Sequence, residues 1–129
     1  MNNFQHQHTA HCESGVMSTM LKAQGVDFNE AMVFGLASAL TFVYIPLVKV
    51  NGMPLISYRM PPKSIIKNVA KRLKVRLNIQ KFRSPQAGQE ALDLALAENK
   101  LIGLQTSVFW LPYFPPEMRF HFNAHNLIV

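Results

Sequence analysis

The segment from Ala31 to Val48, AMVFGLASALTFVYIPLV, contains no charged residue, and this feature constrains the fold more than any other. Its length is close to the shortest that crosses a membrane as a helix. The alternative is a buried helix that becomes a buried strand, because small residues around Gly35 give way to β-branched and aromatic residues from Thr41 to Ile45. No belt of aromatic and basic residues flanks both ends, so we expect no membrane contact and a place in the core.

The composition is that of one globular domain in a reducing compartment. The chain has 129 residues, of which 49% are hydrophobic and 16% are charged, so it can bury a core of its own. Its single cysteine, Cys12, excludes an internal disulfide, and the polar N-terminus lacks the apolar segment of a signal peptide. We therefore expect a cytoplasmic protein with a polar lead-in over residues 1–10 and one domain over residues 11–129.

Local patterns predict a mixture of helices and strands. A helix is predicted to start between Cys12 and Ser14 and to run to about Ala23, ended by Gly25, and a second runs from an Asp27–Glu30 capping box to about Ala39. The remaining predicted elements are a hairpin at Asn51-Gly52 between strands over 41–50 and 55–60, helices over about 64–74 and 85–99 with Ser64 and Ser84 as N-caps, and strands over 75–82, 101–111 and 125–129.

The order of these elements, helices first and then strands mixed with helices, predicts an α+β domain. In such a domain we expect the helices to pack on an antiparallel sheet. The last residues, HNLIV, are an apolar run that should pair with a further strand. We therefore expect the sheet to continue after Val129, so that the domain is truncated at its C-terminus.

The lone cysteine lies in the stretch HCESGV, at the predicted start of a helix, and its role is open. A free cysteine is often a small buried hydrophobic side chain. At a helix start, however, the free N–H groups and the positive end of the helix dipole favour the thiolate, which is the nucleophilic form. A single cysteine with a distant histidine is the minimal pattern of a thiol nucleophile.

A metal site is the third interpretation of this cysteine, because thiolate and imidazole ligands suit zinc or copper. The C-terminal pair of candidate ligands falls in a strand-like or turning stretch, so a four-residue gap does not place both on one helical face. A histidine-rich polar terminus is more often solvated, and we expect neither a metal nor a cofactor. The candidate ligands are His6, His8, His11, Cys12, His121 and His125.

Positive charge is concentrated in the middle of the chain. The net charge is +6, and no Asp or Glu occurs between Glu30 and Glu90. Lysines repeat at three- and four-residue steps along the helix predicted over 64–74, which places them on one face. Such a face is commonly a solvated surface, and it also attracts acidic partners. Interleaved aromatic residues and a nucleic-acid-binding motif are missing, so we expect no nucleic acid. The lysines are Lys63, Lys67, Lys71 and Lys74.

Three stretches resemble, in order, the N-terminal domain family of butirosin-biosynthesis protein H. They are HCESGVMSTMLKAQGVDFNEAMVFGLASALTFVYIP, GLQTSVFWLPY and HFNAHNLIV. The family has a His-Cys pair that leads a helix, a Phe-Gly-Leu stretch followed by an aromatic strand, a Leu-Pro-Tyr corner and a histidine-led strand. The resemblance covers Cys12 to Val129 and implies a papain-like cysteine fold used for acyl transfer.

The resemblance also implies roles for individual residues. Cys12 would be the nucleophile and His125 its base, in the chain order of papain-like enzymes. These enzymes usually carry an oxyanion-stabilising Gln six residues before the cysteine. Here His6 occupies that position, and Gln5 and Gln7 beside it are the candidates for this support. The third catalytic group, an Asp or Asn that orients the histidine, would follow on a later strand.

In the founding member, the acyl group passes from an acyl-carrier-protein thioester to an aminoglycoside amine. The implied function is therefore acyl transfer through a Cys12 acyl-enzyme, with an acidic carrier protein docked on the basic helix. Two other functions stay open. A papain-like peptidase of the bacteriocin-leader type would use the same two residues with water as the acceptor, and a degenerate module would bind a partner or a peptide without catalysis.

Overall fold

The computed structural model describes residues 4–50, 52–121 and 124–129. The helices and strands in these ranges confirm the predicted α+β class. In chain order they are α1 (Cys12–Ala23), α2 (Glu30–Leu36), β1 (Leu40–Val50), β2 (Met53–Arg59), α3 (Ser64–Leu73), α4 (Pro85–Ala97), β3 (Gly103–Thr106) and β4 (His125–Ile128), with short 3-10 helices at Val108–Trp110 and Pro116–Met118.

Among the described residues, the strands form two separate two-stranded sheets, and not the single antiparallel sheet that we expected. β1 pairs with β2, and β3 pairs with β4, both antiparallel. In the second sheet Gly103 lies opposite Ile128 and Thr106 lies opposite His125. β4 also packs against α1, so this small sheet holds the start of β4 close to the first helix.

The hydrophobic core lies between α1, α2 and α3. The apolar residues of α3 recur at three- and four-residue steps, so one face of this helix is buried and Lys67 and Lys71 remain exposed on the other. Burial of each large core side chain contributes roughly 1.5–3 kcal/mol to stability. The buried core residues are Met17, Leu21, Val33, Ala37, Ala39, Ile65, Val69 and Ala70.

The uncharged segment Ala31–Val48 is only partly in this core. Its helical part is packed there, but the predicted buried strand is wrong, because β1 exposes large apolar side chains such as Phe42 (66% exposed) and Leu47 (93% exposed). A two-stranded sheet has no second layer of its own, and the three helices already fill the core. Within the ranges described above, no helix is both long enough and apolar enough to cross a membrane.

Two helix starts agree with the sequence prediction. α1 begins at Cys12, and Gly25 follows its end with a φ of 85°, the left-handed conformation that glycine tolerates. Ser84 is the N-cap of α4, and its hydroxyl accepts a hydrogen bond from the N–H of Ala87 at 3.2 Å. Pro85 is the first residue of that helix, where its missing N–H costs nothing.

Two other caps differ from the prediction. The N-cap of α2 is Asn29 and not Asp27: its side-chain oxygen accepts a hydrogen bond from the N–H of Met32 at 2.8 Å. α3 does not begin with a Ser64 cap, because Ser64 is already the first helical residue and Lys63 occupies the cap position with a φ of 73°. No side chain of the cap residue itself bonds to the helix there.

The start of α3 is capped from another helix. The carboxylate of Glu13, in the first turn of α1, accepts hydrogen bonds from the N–H of Lys63 at 3.0 Å and of Ile66 at 3.1 Å. Glu13 is only 4% exposed. A buried carboxylate is stable only when its oxygens are hydrogen-bonded, and here the two backbone donors and the positive end of the α3 dipole meet that need.

The strands predicted over 75–82 and 101–111 are corrected by the structure. Residues 75–82 form no strand, since their alternating apolar residues have no neighbouring strand with which to pair. The second stretch is a strand only over Gly103–Thr106. Ser107 then caps a 3-10 helix by accepting the N–H of Phe109 at 3.3 Å, because a serine hydroxyl competes with the ladder for backbone donors. The last predicted strand is confirmed as β4.

The capping role of Glu13 can be tested by its effect on stability. Glu13→Ala leaves the N–H groups of Lys63 and Ile66 without their acceptor, so we expect the free energy of unfolding to fall by about 2–3 kcal/mol. Urea unfolding followed by circular dichroism measures this change. Glu90→Ala, in the exposed part of α4, is the matched control and should change stability by less than about 0.5 kcal/mol. Equal stability of the two variants would contradict the capping role.

Candidate active site

Cys12 opens onto a cleft of about 780 Å³. The walls of the cleft come from the N-terminal segment, the first turns of α1, the end of β2, the Tyr113 corner and β4. The polar groups that face it include His6, His11, Cys12, Arg59, Tyr113 and His125. The structure thus brings the two residues predicted as nucleophile and base to one cleft, although they are far apart in the sequence.

The backbone before Cys12 is held by a carboxylate of α2. Glu30 accepts hydrogen bonds from the N–H of Ala10 at 2.9 Å, the N–H of His11 at 2.6 Å and the hydroxyl of Ser14 at 3.1 Å. These bonds satisfy donors that a helix start otherwise leaves free. They fix the direction in which the chain enters α1, and with it the position of Cys12.

Gly15 and His11 complete this helix start. A Cβ at position 15 would overlap the side chain of Thr9, so the glycine of HCESG allows the N-terminal segment to lie against α1. The Nδ1 atom of His11 accepts a hydrogen bond from the N–H of Ser14 at 3.4 Å, which makes His11 the N-cap. Burial lowers the pKa of His11 below 6.5, and the nearby charge of Arg59 lowers it further.

The sulfur of Cys12 is half-buried and lies against β4. Its Sγ atom is 4.0 Å from the carbonyl oxygen of Ala124, and the side-chain amide of Asn126 donates toward it from 3.8 Å. Asn126 is 7% exposed and also donates to the Ala124 carbonyl at 3.2 Å, so its amide is fixed. An N–H donor directed at the sulfur stabilises a negative charge on it. Simple burial among apolar side chains does not describe this environment.

His125 begins β4, and its ring faces the same cleft. The ring packs edge-on against Phe114, with centroids 5.2 Å apart, and its Nε2 atom is 3.3 Å from the hydroxyl of Tyr113. Burial lowers the pKa of His125 below 6.5. At neutral pH the imidazole is therefore largely in the neutral form, which is the form that accepts a proton from a thiol.

Sequence reasoning missed Asn126 and Tyr113. The signal for Asn126 was a polar residue inside the apolar run HNLIV. Tyr113 lies in a loop between the two strands of the sheet, so no periodicity predicts its contact. Burial raises the pKa of Tyr113 above 10, and the nearby Cys12 adds to this rise. The Tyr113 hydroxyl lies at hydrogen-bond distance from the imidazole, and the Asp or Asn expected on a later strand stays a prediction.

Of the other predicted site residues, one lines the cleft and the rest lie outside it. Gln7 lines the cleft, whereas Gln5 lies in the same exposed segment but is not one of the residues that line it. The lysines lie outside the cleft along α3. Lys63 is the N-cap of that helix and Lys74 its C-cap, while the two between them are exposed on its outer face.

The histidines do not assemble into a metal site in the part of the chain that the structure describes. No three His, Cys, Asp or Glu side chains lie close enough together there to hold a metal ion. His6 and His8 contact each other edge-on at 4.9 Å, and His121 stacks on Phe109 at 3.9 Å, away from Cys12.

The fold and the cleft define an α+β domain in which a cysteine at a helix start and a histidine at a strand start face one cavity. A family model described as butirosin biosynthesis protein H, N-terminal, matches residues 11–129. The chain belongs to this family, which confirms the resemblance seen in the sequence and relates the protein to butirosin biosynthesis. No curated protein and no solved structure matches the chain.

The lowered pKa values of the two cleft histidines predict how stability depends on pH. His11 and His125 titrate below 6.5 in the folded protein, so the unfolded chain takes up their protons first on acidification. We expect stability to be constant above the unfolded value of 6.5 and to fall as the pH drops below it. Urea midpoints between about pH 5.5 and pH 8 measure this, and His125→Gln should flatten the curve. Imidazole NMR signals that titrate at or above 6.5 would contradict the assignment.

Proposed function

We propose that the protein is a papain-like acyltransferase that moves an acyl group from a carrier-protein thioester to an amine through an acyl-enzyme on Cys12. The observation that supports this most directly is the shared cleft of Cys12 and His125. The cysteine lies at a helix start, the histidine is in its proton-accepting form at neutral pH, and the family match covers both residues.

The first half of the reaction acylates the enzyme. His125 takes the proton of the Cys12 thiol, and the sulfur forms a bond to the thioester carbonyl carbon. The carbonyl electron pair moves to oxygen to give a tetrahedral intermediate. When that pair returns, the bond between carbon and the donor sulfur breaks, and the donor leaves as a thiol with the proton from His125.

The second half transfers the acyl group. An amine attacks the acyl carbon on Cys12 and gives its proton to His125, and the Cys12 sulfur leaves and recovers that proton. Water in place of the amine would make the same site a hydrolase. The acceptor therefore distinguishes the acyltransferase from the peptidase that the sequence also allows.

The negative oxygen of each intermediate needs hydrogen-bond donors. The backbone N–H of Cys12 is at the first position of α1, where no helical carbonyl can accept it, and the helix dipole favours negative charge there. Gln7 is the second donor in this proposal, since it lines the cleft on the segment that precedes Cys12. Removal of one such donor typically lowers the rate by about 10²–10³-fold.

Tyr113 orients the base in this mechanism. If Nε2 of His125 carries the hydrogen and donates it to the Tyr113 hydroxyl, the lone pair that accepts the thiol proton is on Nδ1. This is the role that an Asp or Asn side chain performs in a catalytic triad. A hydroxyl holds the tautomer but adds no negative charge, which suits a base whose pKa is below the usual value.

The covalent step is tested with a small thioester donor, such as a butyryl thioester of N-acetylcysteamine. We expect the intact mass of the protein to rise by one butyryl group and the Cys12→Ala variant to show no gain. His125→Gln should slow acylation by about 10²–10⁴-fold, the usual contribution of a general base.

His121→Gln is the matched control for the base, because His121 stacks on Phe109 outside the cleft, and it should acylate at the rate of the unaltered protein. Acylation that persists in Cys12→Ala would overturn the proposed nucleophile. A protein that binds thioesters without any covalent gain would be the degenerate binding module.

The basic face of α3 is the proposed docking surface for an acidic acyl carrier protein. The exposed side chains of Lys67 and Lys71 form this face, and the helix start is joined to α1 by the Glu13 carboxylate, one residue after Cys12. A carrier bound here would lie beside the helix that presents the nucleophile. Opposite charge at a protein surface mainly accelerates association and is screened by salt.

Charge reversal tests this docking. Lys67→Glu/Lys71→Glu should weaken carrier-protein binding by about tenfold at low salt and leave acylation by the small thioester unchanged. Lys49→Glu/Lys100→Glu makes the same change in net charge elsewhere and should bind the carrier normally. Carrier binding that is equal in the two double variants, or tight binding of duplex DNA to the unaltered protein, would contradict the proposed surface.

A further inference from the structure

The charge of the cleft is one-sided. Among the described residues that line it, Arg59 is the single side chain with a permanent charge, and no Asp, Glu or Lys is present. The other basic side chains that line the cleft are histidine imidazoles. His11 and His125 have pKa values below 6.5, so these two are largely neutral at physiological pH. The fixed charge that a ligand meets in the cleft is therefore the guanidinium of Arg59.

Arg59 is held in place by its backbone. It is the last residue of β2, lies opposite Leu40 of β1, and both its N–H and its carbonyl oxygen bond to the hydroxyl of Ser57, at 3.5 Å and 2.9 Å. It also lines a second, much smaller cavity of about 20 Å³ together with His11, Cys12 and Ala124, and Glu13 borders this cavity as well. Arg59 thus borders both of the cavities that Cys12 borders.

No described carboxylate forms an ion pair with this guanidinium. The two acidic residues at the starts of α1 and α2, Glu13 and Glu30, accept hydrogen bonds from backbone N–H groups instead. A guanidinium has a planar set of donors that matches a carboxylate or a phosphate. The geometry leaves these donors available to a ligand in the cleft.

We infer that Arg59 forms an anion-binding subsite for a carboxylate of the acyl group, a few bonds from the carbonyl that Cys12 attacks. This inference rests on the proposed acyl transfer and specifies its substrate class. A carrier-protein thioester has two anionic groups that Arg59 could bind. They are a carboxylate of the acyl chain and the phosphate of the pantetheine arm. The phosphate lies at the far end of that arm from the thioester, whereas Arg59 lines the same cleft as Cys12, so we assign the carboxylate of the acyl chain to it.

The test compares two thioesters of N-acetylcysteamine with acyl chains of equal length, succinyl with a terminal carboxylate and butyryl without one. We expect Cys12 to be acylated about tenfold to a hundredfold faster by the succinyl donor, measured as kcat/KM at neutral pH. Arg59→Gln should remove this preference, so that the two donors react at similar rates. Arg59→Lys should retain part of it, and Arg76→Gln, which removes an exposed arginine outside the cleft, should retain all of it.

A second pair of donors, butyryl-pantetheine and butyryl-phosphopantetheine, distinguishes the two sources of the anion. Their relative rates should not depend on Arg59. If Arg59→Gln slows only the donor with the phosphate, the carboxylate assignment is wrong and the subsite binds the arm. If succinyl and butyryl donors react equally in the unaltered protein, the carboxylate subsite is overturned.

Binding without chemistry separates this inference from the proposed function. Succinate titrated into the Cys12→Ala protein should shift the NMR signal of His11, which lies beside Arg59, and the shift should disappear in Cys12→Ala/Arg59→Gln. This result would support the subsite even if no thioester acylates Cys12. The absence of any Arg59-dependent shift would overturn the subsite even if acylation occurs.

Discussion

The buried carboxylate of Glu13 is the interaction on which the rest of the site depends. It lies one residue after Cys12 in α1 and caps the start of α3, so a single side chain joins the helix of Cys12 to the helix that carries Lys67 and Lys71. Glu30 makes the same kind of contact, because its carboxylate on α2 accepts hydrogen bonds from the backbone before Cys12. In both cases backbone N–H groups, and not cations, satisfy the charge, because a helix start offers several donors within reach of one carboxylate.

Two carboxylates next to a cysteine would by themselves disfavour a negative charge on its sulfur. The structure offsets this effect in three ways. Both carboxylates are already hydrogen-bonded, and the positive end of the α1 dipole is at Cys12. The buried amide of Asn126 also donates toward the sulfur. Arg59, which lines the same cleft, carries a positive charge. The sulfur also faces the carbonyl oxygen of Ala124 at 4.0 Å, so donors and an acceptor both surround the thiol.

Different parts of the chain supply the groups that line the cleft. α1 and β4 supply Cys12 and His125, the proposed reacting groups, and the sheet that pairs Thr106 with His125 holds the start of β4 near α1. β2 supplies the charge that faces a ligand. The hairpin of β1 and β2 is otherwise exposed, and its cross-strand contact between Phe42 and Tyr58 lies at the surface with centroids 5.7 Å apart. The expectation that an uncharged segment is buried failed here because three helices provide enough apolar surface for the core.

By itself, the sequence determined the features that depend on neighbouring residues. The sequence predicted a start of α1 within 12–14, the Ser84-Pro85 start of α4, the β1–β2 hairpin, β4 and the α+β class, because capping, turn geometry and periodicity act over a few residues. The family could be recognised from motifs in their order. Tertiary structure alone decided that Glu13 caps α3, that Asn126 approaches Cys12, that Tyr113 contacts His125 and that Arg59 faces the cleft. Each of these contacts joins residues far apart in the chain or on different elements, and only the packing of those elements brings them within hydrogen-bond distance or into one cavity.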